Sequence, residues 1–544
     1  MPNISEKNFE ETIESLLLAG GPDSPIQGEA AVREAATADG EYVPGGFRKR
    51  LPTDYDKSLC LIPQDFFDFL YITQPKEWEK LKKSVSGDAR QHFLEHLSKQ
   101  VNRYGTLHVL RKGVKDLGCK FKLAYFPPAS GLNPEIQKLY QANIFTLVRQ
   151  LKYSQHNENS LDLVIFLNGL PLFTAELKDP LTGQTVQNAI TQYRTARDPR
   201  EPLFAFRHCL AHFAVDPDLV YYTTCLQGNV TGFMPLNRGH NLGAGNPPSW
   251  RGFSTAYLWE QLWARDSLLN LLQYFIHEFE EEDDEGRKTG EWKLIFPRYH
   301  QLDSVRRLIR HARDRGPGQR YLIQHSAGSG KSNSIAWLAH QLSVLHNVKD
   351  ERVFDSVVVV TDRRVLDRQL QNTVRSFEQT LGTVETITEN SQQLKKALEE
   401  GKNIVVTTLQ KFPVISEKVQ SLPGKRFAVI IDEAHSSQSG EAARHLNTVL
   451  AAGSLEEAER MDAEGEEQDD LQERIIADIK RRGHLPHVSY FAFTATPKAK
   501  TLELFGTPVK GVGFEPFSLY SMKQAIDEHF ILDVLENYTT YQAY

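Results

Sequence analysis

His325-Ser326-Ala327-Gly328-Ser329-Gly330-Lys331-Ser332 decides how this chain is read. Backbone N–H groups in a glycine-rich turn surround phosphate oxygens only where no Cβ intrudes, and Gly328 and Gly330 give that access. A helix opening at Lys331 points its positive end at the phosphates. Ala327 and Ser329 complete the turn, Lys331 is placed to neutralise the outer phosphate oxygens, and Ser332 to ligate Mg²⁺. Phosphate loops usually open with glycine at the position held by His325. After the loop, Ile335, Leu338, Ala339 and Leu342 recur at i, i+3, i+4 and i+7, the stripe of a helix with one buried face.

Short β-branched runs alternate with helical stretches around this loop. Tyr321–Gln324, Val357–Val360, Ile404–Val406, Phe427–Ile431 and Tyr490–Phe493 read as strands of a parallel sheet covered on both faces. The alternation predicts an α/β, doubly wound parallel sheet that binds ligand at the carboxyl ends of its strands. Asp432-Glu433 ends one such run. Asp432 is expected on Mg²⁺, and Glu433 is expected to polarise an attacking water. Thr494 and Thr496 end another run, as coupling residues or as plain strand-end turn residues. Gln301, about thirty residues before the loop, either reads an adenine edge or is an ordinary helix-start glutamine.

Ala327–Ser332, Asp432-Glu433-Ala434-His435 and Thr494-Ala495-Thr496 resemble motifs I, II and III of superfamily 2 helicase-like translocases. Thr361 to Gln369 resembles motif Ia, and Thr407 to Phe412 motif Ib. The longer strings Thr361 to Gln369, Asp432 to Gln438 and Tyr520 to Asp527 resemble more narrowly the R (restriction, motor-nuclease) subunit of type I restriction-modification enzymes. That resemblance implies a RecA-like domain binding ATP and Mg²⁺, with His435 among the nucleotide-site residues. It implies double-stranded DNA as substrate, and methyltransferase (M) and specificity (S) subunits as partners in a prokaryotic cytoplasm. Such motors carry a second RecA-like domain with motifs IV to VI and an arginine finger. The chain reaches Tyr544 soon after motif III, so it reads as a piece of a longer protein, expected to bind nucleotide but turn it over poorly.

A second chemistry precedes the motor. Around Leu161–Lys178 two strands flank Asn168-Gly169, a strong hairpin signal. Asp162 lies in the first strand. Glu176 and Lys178, two residues apart, share a face of the second. Two carboxylates converging on Mg²⁺, with a cation near the scissile phosphate, are what metal-dependent phosphodiester cleavage requires. The arrangement resembles the Asp…Glu-x-Lys pattern of PD-(D/E)xK nucleases. A strict two-residue turn with unbroken pairing sets Asp162 against Ala175, on the wrong face. A bulge or longer loop sets it against Glu176, so an irregularity is expected in this hairpin. Glu14 either adds a carboxylate to the site, as an N-terminal helix does in some relatives, or shares a solvated face with Glu10. Gln187 and Tyr193 resemble the Gln…Tyr helix that follows the nuclease core in related enzymes, with six residues between them rather than four.

The bulk numbers bound these readings. A chain of 544 residues needs more than one core. Its net charge of −7 leaves any nucleic-acid path to local basic stripes. Arg48-Lys49-Arg50 is one such cluster, touching DNA phosphates or forming an ordinary solvated turn. Four scattered cysteines lack zinc or disulfide spacing, and no apolar run approaches a membrane span. His92-Phe93-Leu94-Glu95-His96 matches a zinc-peptidase pattern. The stripe Phe93, Leu94, Leu97, Val101 puts both histidines near the outer side of that helix, with no third ligand.

The expected layout is an endonuclease domain over 1–280, an acidic and glycine-rich linker over 281–290, and a first RecA-like domain over 291–515. An acidic insertion occupies 453–475, and 516–544 begins a connection to the second RecA-like domain. The function expected is an ATP-dependent translocase and endonuclease subunit that cuts unmodified DNA away from its recognition site. Its rivals are a single-chain restriction or repair translocase-nuclease, and a remodelling scaffold with an inert nuclease fold.

Overall fold

A computed structural model describes residues 6–24, 42–128, 133–180, 183–249, 252–283, 287–361, 370–371, 373–375, 377, 383–387, 391–408, 424–432, 476, 479–481 and 483–532. The chain divides into two compact units. One comprises residues 1–240 with 245–298, the other 299–544 with 241–244.

The first unit is built on a mixed seven-stranded sheet whose spatial order follows the sequence. Its strands are β1 (Arg48–Arg50), β2 (Phe145–Lys152), β3 (Ser160–Leu167), β4 (Leu170–Leu177), β5 (Ala211–Val215), β6 (Val220–Thr223) and β7 (Met234–Pro235). The pairs β1/β2 and β4/β5 are parallel and the rest antiparallel. A parallel β4/β5 pair needs a crossover, and the helix Val186–Ala196 (α2) supplies it. Strands β3 and β4 are buried on both faces almost throughout, which explains why they are apolar apart from Ser160, Asp162, Thr174 and Glu176. The N-terminal helix Glu6–Leu18 (α1) lies against β2 and β4. Tyr55, Val148, Val164, Phe166 and Tyr193 belong to one core cluster on this sheet.

The β3–β4 turn has the two residues the sequence predicts. Asn168 (φ +50°) and Gly169 (φ +82°) both take the left-handed conformation of a tight hairpin. A Cβ at Gly169 would stand 2.5 Å from the Ile62 carbonyl oxygen, so the position is closed to larger residues. The Asn168 amide is buried and tied to Leu123 O, Asn143 Oδ1 and the Ile144 N–H. The expected irregularity is present just beyond the turn. Leu167 pairs with Leu170 and Phe166 with Pro171, but Ile165 pairs with Phe173, leaving Leu172 as an extra residue in β4.

The second unit carries a parallel seven-stranded, RecA-like sheet. Its strands are β8 (Arg320–His325), β9 (Ser356–Thr361), β10 (Val384–Thr386), β11 (Ile404–Thr408), β12 (Phe427–Ile431), β13 (Val488–Thr494) and β14 (Ser518–Tyr520), in the order β10-β11-β9-β12-β13-β8-β14. All neighbours are parallel. Each of the five predicted strands is found here, one or two residues longer at some ends. The helices Tyr299–Arg315 (α3) and Lys331–Leu342 (α4) flank the phosphate-loop strand. The predicted stripe of α4 is fully buried, but so are Ala336 and Trp337, so the helix is enclosed on more than one face.

Three features of the expected layout are corrected. The acidic run read as a linker is part of an antiparallel hairpin, His277–Glu282 with Lys288–Ile295. Its like charges are offset across the strands by Lys288–Glu280 and Lys293–Glu281 pairs. The boundary between units falls instead at Arg298/Tyr299. Phe296 packs its ring on Phe173, Phe213 and Tyr222, which fixes that segment to the first core. The stretch expected to begin a connection includes β14, a full member of the second sheet beside β8. The acidic insertion over 453–475 lies outside the described residues.

Candidate active sites

In the second unit, adjacent strands deliver residues expected at a nucleotide site to one edge of the sheet. Gln324, at the end of β8, pairs with Thr494 at the end of β13, and Ile431, just before Asp432, pairs with Ala492. The phosphate loop, Asp432 and Thr494–Thr496 therefore share the carboxyl edge, where the strand order reverses and ligands bind in open α/β sheets. Asp432 is held there by its own N–H, which donates to Val360 O at 2.9 Å. Thr494 is buried, and its hydroxyl accepts the N–H of the exposed Thr496 at 3.2 Å, so the two form one turn.

Within the loop, Gly328 (φ +71°) and Gly330 (φ +74°) both adopt left-handed backbone. A Cβ at Gly328 would stand 3.0 Å from Ile531 Cγ2 and 3.1 Å from Phe530 O. Ala327 and Gly328 are exposed; Lys331 and Ser332 are half-buried at the start of α4. Ser329 is buried with its hydroxyl unpartnered, while its carbonyl accepts from Gln301 Nε2 at 3.0 Å and meets His300 Nε2 at 3.1 Å. Gln301 also donates to Gly330 O. Gln301, expected either at an adenine edge or as an ordinary helix-start glutamine, lies in the first turn of α3 with its amide against the carbonyl side of the phosphate loop. His325, the unusual first loop residue, is buried and hydrogen-bonded to Ser518 Oγ on β14. The Ser326 N–H donates to Tyr520 O, and the Tyr520 ring stacks on His300 at 3.7 Å. Glu433 and His435 lie outside the described residues, as do 362–369 of motif Ia and 409–412 of motif Ib.

In the first unit, the bulge at Leu172 sets the register. Leu163 pairs with Ala175, so continuing the ladder brings Asp162 opposite Glu176. Asp162 Oδ2 accepts the Leu177 N–H at 2.7 Å across the same strands. Glu176 is fully buried. One oxygen, Oε1, receives Arg197 Nε at 2.7 Å, and the other, Oε2, has no hydrogen-bond partner. Burial, then the Asp162 charge, raises the Glu176 carboxyl to about 8, against the opposing pull of Arg197 and Lys178. Lys178 is buried just past the end of β4.

Further polar groups close round the pair. Gln150 Nε2 donates to Asp162 Oδ1 at 3.2 Å and to Glu10 Oε1 at 3.0 Å. Arg149 binds Glu10 Oε2 and Glu14 Oε2, and Lys49 pairs with Glu14 Oε1 at 2.8 Å. Burial raises the Glu10 carboxyl, with Arg149 opposing and Asp162 reinforcing the shift. Glu10, expected only as a solvated neighbour of Glu14, is the more buried of the two and the one joined to Asp162 through Gln150.

Arg197, at the end of α2, carries no signal in the sequence, because nothing local ties it to a glutamate 21 residues earlier. Gln187 and Tyr193 are not brought together. Gln187 is exposed, whereas Tyr193 is fully buried and shares a hydrogen bond with Thr174. Six residues turn a helix through about 240°, which puts them on different faces. Arg48 and Arg50 are committed to Asp65 and Asp68, and Lys49 to Glu14, so this cluster is an internal ion-pair network. His92 pairs with Asp116, and the His96 ring is hydrogen-bonded to Lys115 O. Among the described residues no group of three or more His, Cys, Asp or Glu side chains is disposed to hold a metal. The Asp162–Glu176 pair offers two carboxylates, which suits Mg²⁺, an ion that keeps several waters and takes one or two carboxylates. The unpartnered buried oxygen of Glu176 fits that use.

These features define a class: a mixed-sheet unit with a paired-carboxylate site, followed by a RecA-like unit with a phosphate loop. The family described as "Type I restriction enzyme R protein N terminus" matches residues 74–230, and "SWI2/SNF2 ATPase" matches residues 300–455. The chain is a distant relative of the R (endonuclease) subunits of type I restriction enzymes. It is 25% identical over 405 residues to the type I restriction enzyme HindI endonuclease subunit of Haemophilus influenzae, covering 71% of this chain and 34% of that one. It is 23% identical over 319 residues to the type I restriction enzyme SauMSSORF170P endonuclease subunit of Staphylococcus aureus, covering 56% and 30%. The chain thus spans about a third of the length of these relatives. Among solved structures, the Sulfolobus solfataricus SWI2/SNF2 ATPase core in complex with dsDNA is 16% identical over 37% of this chain and 33% of that one, with a TM-score of 0.22, too low to bear on function. Among the described residues no helix is long and apolar enough to cross a membrane.

Proposed function

We propose that this chain is the nuclease and motor portion of a type I restriction subunit, in which ATP-driven passage of double-stranded DNA is coupled to phosphodiester cleavage by the first unit. The observation that carries the nuclease half is the buried Asp162–Glu176 pair, with one Glu176 oxygen left without a partner. Asp162 and Glu176 would hold Mg²⁺, which supplies polarisation of the scissile phosphate and activation of water. The Lys178 ammonium offsets charge that builds on the phosphate as the bond breaks. Arg197 keeps Glu176 from swinging away by occupying its other oxygen.

In the second unit the loop over Ala327–Ser332 receives the phosphates of ATP. Lys331 neutralises their outer oxygens, and Ser332 with Asp432 would hold the accompanying Mg²⁺. Glu433 orients water, His435 completes the same motif, and the Thr494–Thr496 turn passes the nucleotide state on. Gln301 acts on the loop from behind, through Ser329 and Gly330, and makes the loop's shape part of nucleotide recognition. Methyltransferase and specificity subunits supply site recognition.

Substituting Asp162 with alanine in the assembled complex tests the assignment. Loss of plasmid cutting with ATP hydrolysis retained is expected. Unchanged cutting would overturn it.

A further inference from the structure

Gln150 lies in the middle of β2 yet has φ +50°, the left-handed region that a glutamine enters only when its surroundings compel it. Pairing on either side is regular: Arg149 faces Leu163 and Leu151 faces Leu161. Consecutive residues of a regular strand point to opposite faces. Here Arg149 and Gln150 both reach carboxylates of α1, with Arg149 on Glu10 Oε2 and Glu14 Oε2 and Gln150 on Glu10 Oε1. The unusual φ is what turns Gln150 to the side its neighbour already occupies. Once there, its amide donates to Asp162 Oδ1 and its carbonyl accepts from Ser160 Oγ at 2.9 Å. Every polar atom of the side chain is thereby engaged, and two of its contacts are to buried acids.

We propose that Gln150 is a positioning residue of the nuclease site, held in a strained backbone so that its amide fixes Asp162 and couples it to Glu10 on the N-terminal helix. The proposal rests on the reading of Asp162 and Glu176 as metal ligands. Outer partners of this kind orient a ligand oxygen, and their loss commonly weakens metal binding 10–100-fold.

The test measures Mn²⁺ binding by electron paramagnetic resonance, without nucleotide, on the full chain, together with thermal melting. Asp162→Ala is the control for the site: if it leaves Mn²⁺ binding unchanged, the metal-site reading itself fails. Given that Asp162→Ala removes the binding, Gln150→Gly is expected to weaken it about tenfold or more while the melting temperature stays level or rises, because glycine accepts the left-handed backbone freely. Gln150→Asn tolerates that backbone too but is one methylene short of both acids, so it is expected to weaken binding similarly. Unchanged Mn²⁺ affinity in either variant, or a lower melting temperature in Gln150→Gly, would overturn the role of Gln150 and leave the metal-site reading standing.

Discussion

Asp162 and Glu176 face one another because β4 holds one residue, Leu172, that β3 does not match. Pro171 beside it lacks the N–H a regular ladder would need, which suits a bulge. Deleting Leu172 would return Asp162 to Ala175 and turn Glu176 to the other face. DNA cleavage in the assembled complex is expected to vanish while ATP hydrolysis persists. Glu176→Gln, which keeps the shape, is expected to slow cleavage about a hundredfold or more, corresponding to the several kcal/mol a metal ion contributes. A gel assay of linearised plasmid beside a phosphate-release assay checks both.

Arg197 Nη2 lies 2.6 Å from Glu176 Oε1, and both side chains are buried. Removing one partner strands the other, so Arg197→Met is expected to destabilise the first unit by about 3 kcal/mol. Arg197→Met combined with Glu176→Leu should recover much of that loss, which a double-mutant cycle of urea melts would show. Equal stability of the single and double variants would argue against the pair.

The pH dependence of stability carries opposite signs in two buried groups. Burial lowers His212 from 6.5 to about 3, and its ring is bonded to Thr174 Oγ1. Its contribution is complete above pH 6.5 and is lost as pH falls toward 3. Glu176 is raised from 4.5 to about 8, so its contribution is complete below 4.5 and is lost as pH rises through 8. The two offset one another between 4.5 and 6.5. Relative to the parent, Glu176→Gln is expected to steepen the loss of stability on acidification, and His212→Asn to flatten it. Urea melts from pH 4 to 8 in roughly half-unit steps, about 0.7 kcal/mol per fully titrating group, resolve the slopes.

Gly328→Ala sets a Cβ into left-handed backbone and 3.0 Å from Ile531 Cγ2. A cost of roughly 1–2 kcal/mol from the backbone alone is expected to weaken ATP binding about tenfold, read with a fluorescent nucleotide. Lys331→Ala should abolish binding while leaving the melting temperature near that of the parent, since Lys331 is half-buried at a helix start.

Much of the second unit was legible because its signals are local. Runs such as Phe427–Ile431 are strands in any setting that covers both faces, and the phosphate loop is defined by eight consecutive residues. The hairpin turn and its irregularity were legible too, since Asn168-Gly169 and the spacing of Asp162 and Glu176 cannot both be satisfied by a regular ladder. The cage around the carboxylates was not. Arg149, Gln150 and Arg197 acquire meaning only once distant segments meet, and their own neighbourhoods read as ordinary polar surface. The acidic hairpin is hidden in the sequence for a related reason: a run of glutamates looks solvated until the lysines of the opposing strand are set against it.

A bulge acts on its strand as a vernier acts on a scale. Inserting or removing one codon between residues 166 and 175 would exchange one buried face for the other at every later position of β4. Mutational drift in this hairpin should therefore change the identity of its apolar residues far more readily than their number, and a library of single-codon insertions would map the catalytic face more sharply than any scan of substitutions.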